Sequence, residues 1–404
     1  GLPDAQPSRT LEVKGPPKSA AFDAQGKPTK AAEGFCKGRG ASVADAQVKA
    51  VDGGEYLFLT VHEPGRPGAQ VLAEALPQAL ERLSPPETMR WGAPVRFVRP
   101  VRWLLALFDG AVVPFEWAGV RAGKRSFGHR FVAPEAFEAA DPADYFARLA
   151  QRGVILRQDE RRDHILDQLA AEAGAHGAAC DPSPRFLHQL VHSAEHPSAV
   201  AGRFDERFLA LPAEVLATTM VNHQRFAPCY DAETGEITPH FVGFRDGRAE
   251  HGERVRRGYE WVLEARLVDS EFFFMEDRKR ALAEHVPDLK DVIYQAKLAA
   301  MWDKVERMRA LGRAVGERLG LSPHKQDALD RAAYLCKADL VTLMVGEFPE
   351  LQGAVGRVYA ELDGEKPAVA RAVGEHYLPQ GPDDPLPGSE PGALLSLVDK
   401  LDTI

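Results

Sequence analysis

Val255-Arg-Arg-Gly-Tyr259-Glu-Trp-Val-Leu263-Glu-Ala-Arg-Leu267-Val-Asp-Ser270-Glu-Phe-Phe-Phe274 is the stretch on which the reading of the fold turns. Its numbered residues recur at spacings of three and four, which puts them on one face of a helix. Just upstream the pattern is different. Arg225–Tyr230 and Ile237–Phe244 read as paired strands around the turn-forming run Asp231-Ala-Glu-Thr-Gly235. The change falls between about residues 245 and 255. Beyond it, Leu298, Met301, Val305 and Met308 repeat the helical spacing, and Pro323 separates them from a further helical run over 326–378. A proline-rich loop from Gly381 to Pro391 then precedes a last helix, Ala393–Ile404. The expected class is α+β and multidomain. It has a mixed α/β front half over 1–247, an all-helical linker over 248–322 and a helical domain over 323–404.

Within the front half, Gly53-Gly54 leads into a strand, Tyr56–Val61, and residues 71–83 carry helical spacing. Residues 94–132 read as strands, because Phe97, Val101, Trp103, Leu105 and Leu107 alternate. Asp109-Gly110 between apolar runs predicts a hairpin. Helices are expected over 134–177, interrupted by a short strand Val154-Ile155-Leu156, and over most of 184–222.

Composition narrows the classes. Of 404 residues, 45% are hydrophobic and 27% charged, which is ordinary globular usage. The net charge of −9 argues against a uniformly basic nucleic-acid binder. Yet Pro86–Phe131 holds eight Lys/Arg against three acids, a local excess able to attract phosphates. The four cysteines form no CxxC pair, so neither a zinc ribbon nor a disulfide framework is expected, and a reducing cytoplasm is the simplest setting. No run approaches the roughly 18 apolar residues of a membrane span. Gly119-Val-Arg-Ala-Gly123-Lys124-Arg125 is not a phosphate-binding P-loop, being one residue short and lacking the hydroxyl. Nucleophile elbows, HExxH pairs and dinucleotide fingerprints are absent from the sequence, as is any recognisable site for activating an amino acid with ATP.

Arg90, Arg96, Arg99, Arg102, Lys124, Arg125, His129 and Arg130 interleave with Trp91, Phe97, Trp103, Phe127 and Phe131. Cations among aromatic rings can clamp phosphates and stack bases. The bland reading is a strand with solvated arginines on one face. Arg96, Arg99 and Arg102 do not share strand parity and so cannot form one ladder. His188, His192 and His196 fall at i, i+4, i+8, which places three imidazoles near one helix face. His223 and Gln224 end a helix before a strand, a junction where polar groups can meet a ligand. Charges along Arg254–Arg280 read as a solvated helix laced with ion pairs, or as a docking surface for another chain. In the back half, Lys337, Asp339, His376 and Asp399 are spaced as groups that stacked helices could bring around a divalent metal.

An ordered series of segments resembles the beta subunit of bacterial glycyl-tRNA synthetase. It begins with Gly26-Lys27-Pro28-Thr29-Lys30-Ala31-Ala32-Glu33-Gly34-Phe35 and continues through Met89-Arg90-Trp91, Arg96-Phe97-Val98-Arg99-Pro100 and Gly128-His129-Arg130-Phe131. It runs on through Val262–Leu267, Gln295-Ala296-Lys297-Leu298 and Lys337-Ala338-Asp339-Leu340 to Glu347-Phe348-Pro349-Glu350-Leu351-Gln352-Gly353. Glu375-His376-Tyr377 and Asp399-Lys400-Leu401-Asp402 close it, so the resemblance covers nearly the whole chain.

The resemblance implies an alpha2beta2 heterotetramer. Its alpha subunit holds the catalytic core and uses ATP with Mg2+ to join glycine to tRNA(Gly), and its beta subunit binds the tRNA. It implies no catalytic residue, metal or cofactor on this chain. The front half is expected to resemble the B3/B4-type tRNA-binding module of phenylalanyl-tRNA synthetase, and the late helices an HD domain. The His-Asp dipeptide of HD hydrolases occurs nowhere, so Lys337, Asp339, His376 and Asp399 are expected as degenerate positions. A fragment is expected, lacking the extreme N-terminus (save Leu2-Pro3) and a C-terminal anticodon-binding domain. A metal-dependent HD-superfamily phosphohydrolase and a stand-alone RNA-binding protein are the rival classes.

Overall fold

The computed structural model describes residues 4–51, 53–92, 94–295, 298–382 and 384–404. Leu2-Pro3, and Ala296-Lys297 of the family-like series, lie outside the described residues. The chain divides into two compact units, Gly1–Arg152 and Gly153–Ile404.

The first unit opens with β1 (Arg9–Pro17), α1 (Lys18–Ala21), α2 (Lys30–Lys37), β2 (Ala46–Val51), β3 (Gly54–Glu63) and α3 (Gly68–Glu81). β3 is the middle strand of an antiparallel sheet ordered β1-β3-β2. Its alternation places Leu57 and Leu59 inward, both fully buried, and Leu57 packs with Ala21, Ala32 and Cys36 from the two short helices.

The arginine-rich stretch departs from the expected long strands. It forms β4 (Met89–Arg90), β5 (Arg96–Phe97), β6 (Leu104–Leu105), β7 (Leu107–Phe108), β8 (Ala111–Val112), β9 (Glu116–Trp117), β10 (Val120–Gly123), β11 (Arg125–Phe127) and β12 (Ala136–Glu138), followed by α4 (Pro142–Gln151). Pro94, Pro100 and Pro114 lack the N–H that a continuous ladder needs, so pairing breaks into short ladders. Aromatic contacts join the pieces. Phe97 meets Trp117 edge-on at 5.2 Å, and Trp103 lies 4.8 Å from Phe127. The Asp109-Gly110 hairpin forms as expected between β7 and β8, with φ of 51° and 76°, the left-handed pair of a type I′ turn.

The second unit begins with α5 (Gln158–Gly174), β13 (Ala178–Ala179), α6 (Pro184–Ser193), β14 (Pro197–Arg203), α7 (Ala213–Thr218), β15 (Ala227–Asp231) and β16 (Ile237–Asp246). The strands form one antiparallel sheet ordered β13-β15-β16-β14. α5 and α6 bury Ile165, Leu169, Phe186 and Leu190 with Ala227, Cys229 and Val242 of the sheet. The β15–β16 hairpin matches expectation. β14, however, lies inside a region read as helical. Its small residues carry little intrinsic signal, and pairing of every position with β16 decides the outcome. Val154-Ile155-Leu156 forms no strand. The Arg161 guanidinium donates to the carbonyls of Ile155 (2.6 Å), Leu156 (3.1 Å) and Val191 (2.8 Å), supplying donors that a neighbouring strand would otherwise give.

The sheet brings two distant cysteines together. Cys180 follows β13 opposite Cys229 of β15, and the two free thiol sulfurs lie 2.9 Å apart. Diamide, which accepts two hydrogens, is therefore expected to join them into a disulfide, leaving Cys36 and Cys336 as thiols. Peptide mapping after alkylation reads this, and equal alkylation of all four cysteines would refute it.

The rest is α8 (Gly252–Asp277), α9 (Leu282–His285), β17 (Ile293–Gln295), β18 (Ala299–Ala300), α10 (Met301–Arg318), α11 (Pro323–Leu335), α12 (Leu343–Glu347), α13 (Ala354–Leu362), α14 (Pro367–Glu375) and α15 (Glu390–Thr403). The β17–β18 ribbon corrects the expectation of an all-helical linker. α8 buries the predicted face, with Leu263, Leu267, Ser270 and Phe274 inward. One continuous core runs from Phe204 to Val398. At the end of α8, buried Asp277 accepts hydrogen bonds from the amides of Leu343 (2.8 Å) and Met344 (3.0 Å) and from the Tyr359 hydroxyl (3.0 Å). It thereby satisfies the N-terminus of α12 and ties α8 to α13.

Candidate nucleic-acid interface and buried charge cluster

In the first unit, Arg90, Arg96, Arg99, Arg102, Lys124, Arg125 and Arg130 are all exposed. Short local contacts hold several of them. Arg96 donates to the Thr88 carbonyl (2.6 Å), and Lys124 pairs with Glu138 (2.9 Å). Arg102, Arg125 and Arg130 lie over the rings of Trp103, Phe127 and Phe131 at 6.0, 5.3 and 5.7 Å. Among the described residues Arg90 and Arg99 have no ion pair. Phe131 is 76% exposed, and Trp91 and Trp103 are also open to solvent. Such rings beside unneutralised guanidinium groups can accept bases and phosphates. His129 departs from the expected row. It is fully buried, and its Nδ1 accepts from the amides of Phe131 (3.2 Å) and Val132 (3.3 Å), so the ring shapes the turn that presents Arg130 and Phe131.

The second unit brings Lys337, His376 and Asp399, three of the four back-half residues singled out in the sequence, into direct contact. The Lys337 ammonium lies 2.9 Å from His376 Nε2 and 2.8 Å from Asp399 Oδ2, and 3.9 Å above the Tyr377 ring. His376 Nδ1 donates to the Val373 carbonyl (2.6 Å), which leaves Nε2 to accept from Lys337. Burial and the neighbouring Lys337 hold His376 well below its usual pKa. A second ammonium, Lys304, pairs with Asp399 Oδ1 (2.8 Å) and with Asp402 (3.2 Å), which Arg307 grips from outside (2.7 Å). Burial opposes the ionised form of Asp399, but the Lys337 charge and the bonds from both lysines prevail and bring its pKa down to about 2. Asp339, the fourth position, is buried nearby and accepts from the Gly353 amide (2.6 Å). Burial pushes its pKa up to about 6, against that bond and Lys337. A side chain at Gly356 would come within 2.8 Å of its Oδ2, so the glycine is required there.

The set suits ion pairing better than metal chelation, because a lysine ammonium already bridges the imidazole and the carboxylate. The three-histidine face does not form. α6 ends at Ser193, so only His188 and His192 share it, their rings 4.3 Å apart, while His196 lies before β14 with its ring 6.5 Å from that of His164.

One cleft was legible only in outline. The junction singled out at His223-Gln224 is a wide turn of helix, Thr219–Gln224, closed by Arg225 in the left-handed conformation at φ 57°. Such single-turn widenings concentrate at functional sites. The His223 ring packs edge-on to Phe348 at 4.8 Å, fixing the turn to the core. Ser183, Arg185, Phe186 and Gln189 of the α6 start, Val221, Asn222 and Arg225 of the turn, and Glu350 line about 290 Å³. The left-handed backbone of a non-glycine residue costs about 1–3 kcal/mol. Arg225→Gly is therefore expected to leave stability unchanged or raise it by up to about 1 kcal/mol in urea unfolding. A clear loss would show instead that the side chain holds the turn.

Comparison with known proteins places this chain among aminoacyl-tRNA synthetase subunits. A family model described as glycyl-tRNA synthetase beta subunit matches residues 1–404. The chain is 46% identical over 405 residues to the glycine–tRNA ligase beta subunit of Trichlorobacter lovleyi, 42% over 404 to that of Moorella thermoacetica, and 44% over 405 to that of Geobacter metallireducens. Each alignment covers 100% of this chain. The chain spans 58%, 58% and 59% of the lengths of those three relatives. It belongs to the glycyl-tRNA synthetase beta subunit family.

Proposed function

We propose that this chain works as the tRNA-handling part of a glycine–tRNA ligase, binding and positioning tRNA(Gly) for glycylation at an alpha subunit in an alpha2beta2 assembly. The observation that carries this reading is the family match along the whole chain, joined to an exposed row of arginines and aromatic rings in the first unit. In this reading ATP, Mg2+ and glycine are handled by the alpha subunit. The front half acts as a B3/B4-type module, and the late helices form an HD-like domain whose Lys337 takes up the space between His376 and Asp399. The exposed side of α8 supports the subunit role. Trp261, Val268, Phe272 and Met275 recur there on one face and are 42–74% exposed, a row of the kind that marks protein contact. No helix among the described residues is long and apolar enough to cross a membrane.

The test is an aminoacylation series. The chain alone, given glycine and ATP, is expected to form no glycyl-adenylate, while it binds a tRNA(Gly) transcript in a salt-dependent manner. Adenylate formed without an alpha subunit would overturn the division of labour. A phosphodiesterase activity abolished by Asp339→Ala would instead favour the hydrolase class.

A further inference from the structure

We infer that the cleft between the start of α6, the Thr219–Gln224 turn and the Pro349–Leu351 turn binds one phosphorylated nucleotide. Its phosphate is held by Arg185 and Arg225, and its base edge meets Gln189, Asn222 and Glu350.

Charge comes first. Two guanidinium groups face one cleft, and among the described residues neither has an ion pair or a hydrogen bond to another side chain. Several arginines of this unit are neutralised, whereas others, such as Arg254, Arg318 and Arg371, stay unpaired among the described residues but do not line this cleft. Arg309 and Arg313 share Asp330, Arg331 holds Glu365, and Arg357 holds Glu214 and Glu361. Leaving two like charges together without a partner is unfavourable until an anion arrives, and a guanidinium fork matches phosphate geometry. The start of α6 adds to this field. Its first turn holds no acidic residue, and Ser183 and Arg185, which begin that turn, both line the cleft.

The remaining lining distinguishes a nucleotide from a bare anion. Glu350 has no ion pair among the described residues, and as a carboxylate it can only accept, which suits an amino or imino group on a base edge. Gln189 and Asn222 carry both donors and acceptors. A volume of about 290 Å³ lies just below the roughly 300–1,000 Å³ usual for small-ligand sites, which limits the occupant to about one nucleotide unit. The backbone is also set for the purpose. Arg225 is kept in the left-handed region, where glycine would be easier, which is expected of a side chain needed at its tip rather than at its backbone.

The nucleotide could come from an RNA strand, with one residue turned out into the cleft, or from a free mononucleotide. The RNA source rests on the proposed tRNA role. The experiment uses the full 404-residue chain, with Arg185→Ala and Arg225→Gly as variants, and two probes: a labelled tRNA(Gly) transcript read by anisotropy, and AMP read by calorimetry. For the RNA source, each variant is expected to weaken the transcript about tenfold and to make its log K against log salt slope shallower by about 1, with no fall in the melting temperature. Loss of AMP binding in the variants, with transcript affinity intact, assigns the cleft to a free nucleotide. If the wild-type chain binds AMP but no transcript, and the variants lose AMP, the tRNA reading fails while the cleft assignment stands. If the wild type binds either probe and neither variant changes it, or if it binds neither probe, the inference is overturned.

Discussion

Replacing Asp399 by alanine is expected to lower the unfolding free energy of the second unit by about 3–5 kcal/mol, because it removes the only carboxylate partner of buried Lys337 among the described residues and leaves buried Lys304 with Asp402 alone. Lys304 and Lys337 have side chains only 3% and 4% exposed, and Asp399 accepts from each at 2.8 Å. Removing one partner of a buried pair leaves the desolvation penalty of the other, here in full for Lys337 and in part for Lys304, which retains Asp402. Asp399→Asn keeps the shape and loses the charge, so it is expected to cost nearly as much. Adding Lys337→Met to it should recover part of the loss, since the unpaired charge goes with the side chain. The pH dependence follows from the sign of the shift. A carboxyl whose folded pKa is about 2 contributes stability that is present above the unfolded value near 4 and is lost as the pH falls from there toward 2. Wild-type stability should therefore decline through that acid window more steeply than that of Asp399→Asn. A cost below about 1 kcal/mol for Asp399→Asn, or parallel acid limbs, would show that the cluster is not coupled in this way.

Reversing charge at Arg99 and Arg125 together is expected to weaken tRNA(Gly) roughly a hundredfold near physiological salt, and to flatten the salt slope by about 2. Both side chains are exposed, so stability should change by less than about 0.5 kcal/mol. That separation makes the measurement informative. Affinity lost with a full melting transition points to phosphate contact, whereas unchanged affinity and slope would falsify the patch. Substituting Phe131 with alanine in the same background reports on stacking, since its exposed ring has little packing to lose.

Much of the architecture was readable because period and turn chemistry act locally. The inward face of α8 follows from spacings of three and four, and the Asp109-Gly110 turn from two left-handed residues in a row. The misreadings share one cause, which is that the deciding partner lies far away in sequence. β14 is a strand because β16 pairs with it some 40 residues later. Val154–Leu156 lacks a ladder because the Arg161 side chain satisfies its carbonyls. Of the site residues, the exposed arginines behaved as charge alone implies, whereas His129 turned inward to serve two amides of its own turn. Residue type placed Lys337, His376 and Asp399 on different helical segments, but only packing could bring an ammonium between the other two. The left-handed Arg225 had no signature in the sequence beyond its place at a helix–strand junction.

The broken ladders under the arginine row bear on how that surface would meet the proposed tRNA. β4, β5, β6, β7 and β8 hold only two residues each, so each piece has few cross-strand bonds to lose when it tilts. A continuous sheet would present its cations at fixed intervals and oblige the nucleic acid to fit. Here the pieces are joined by short ladders, by single backbone bonds such as Val113 N–H to the Ala106 carbonyl, and by ring contacts such as Phe97 with Trp117. In the proposed tRNA role, pieces this short would let the surface adjust to a helical groove on contact rather than present a fixed spacing.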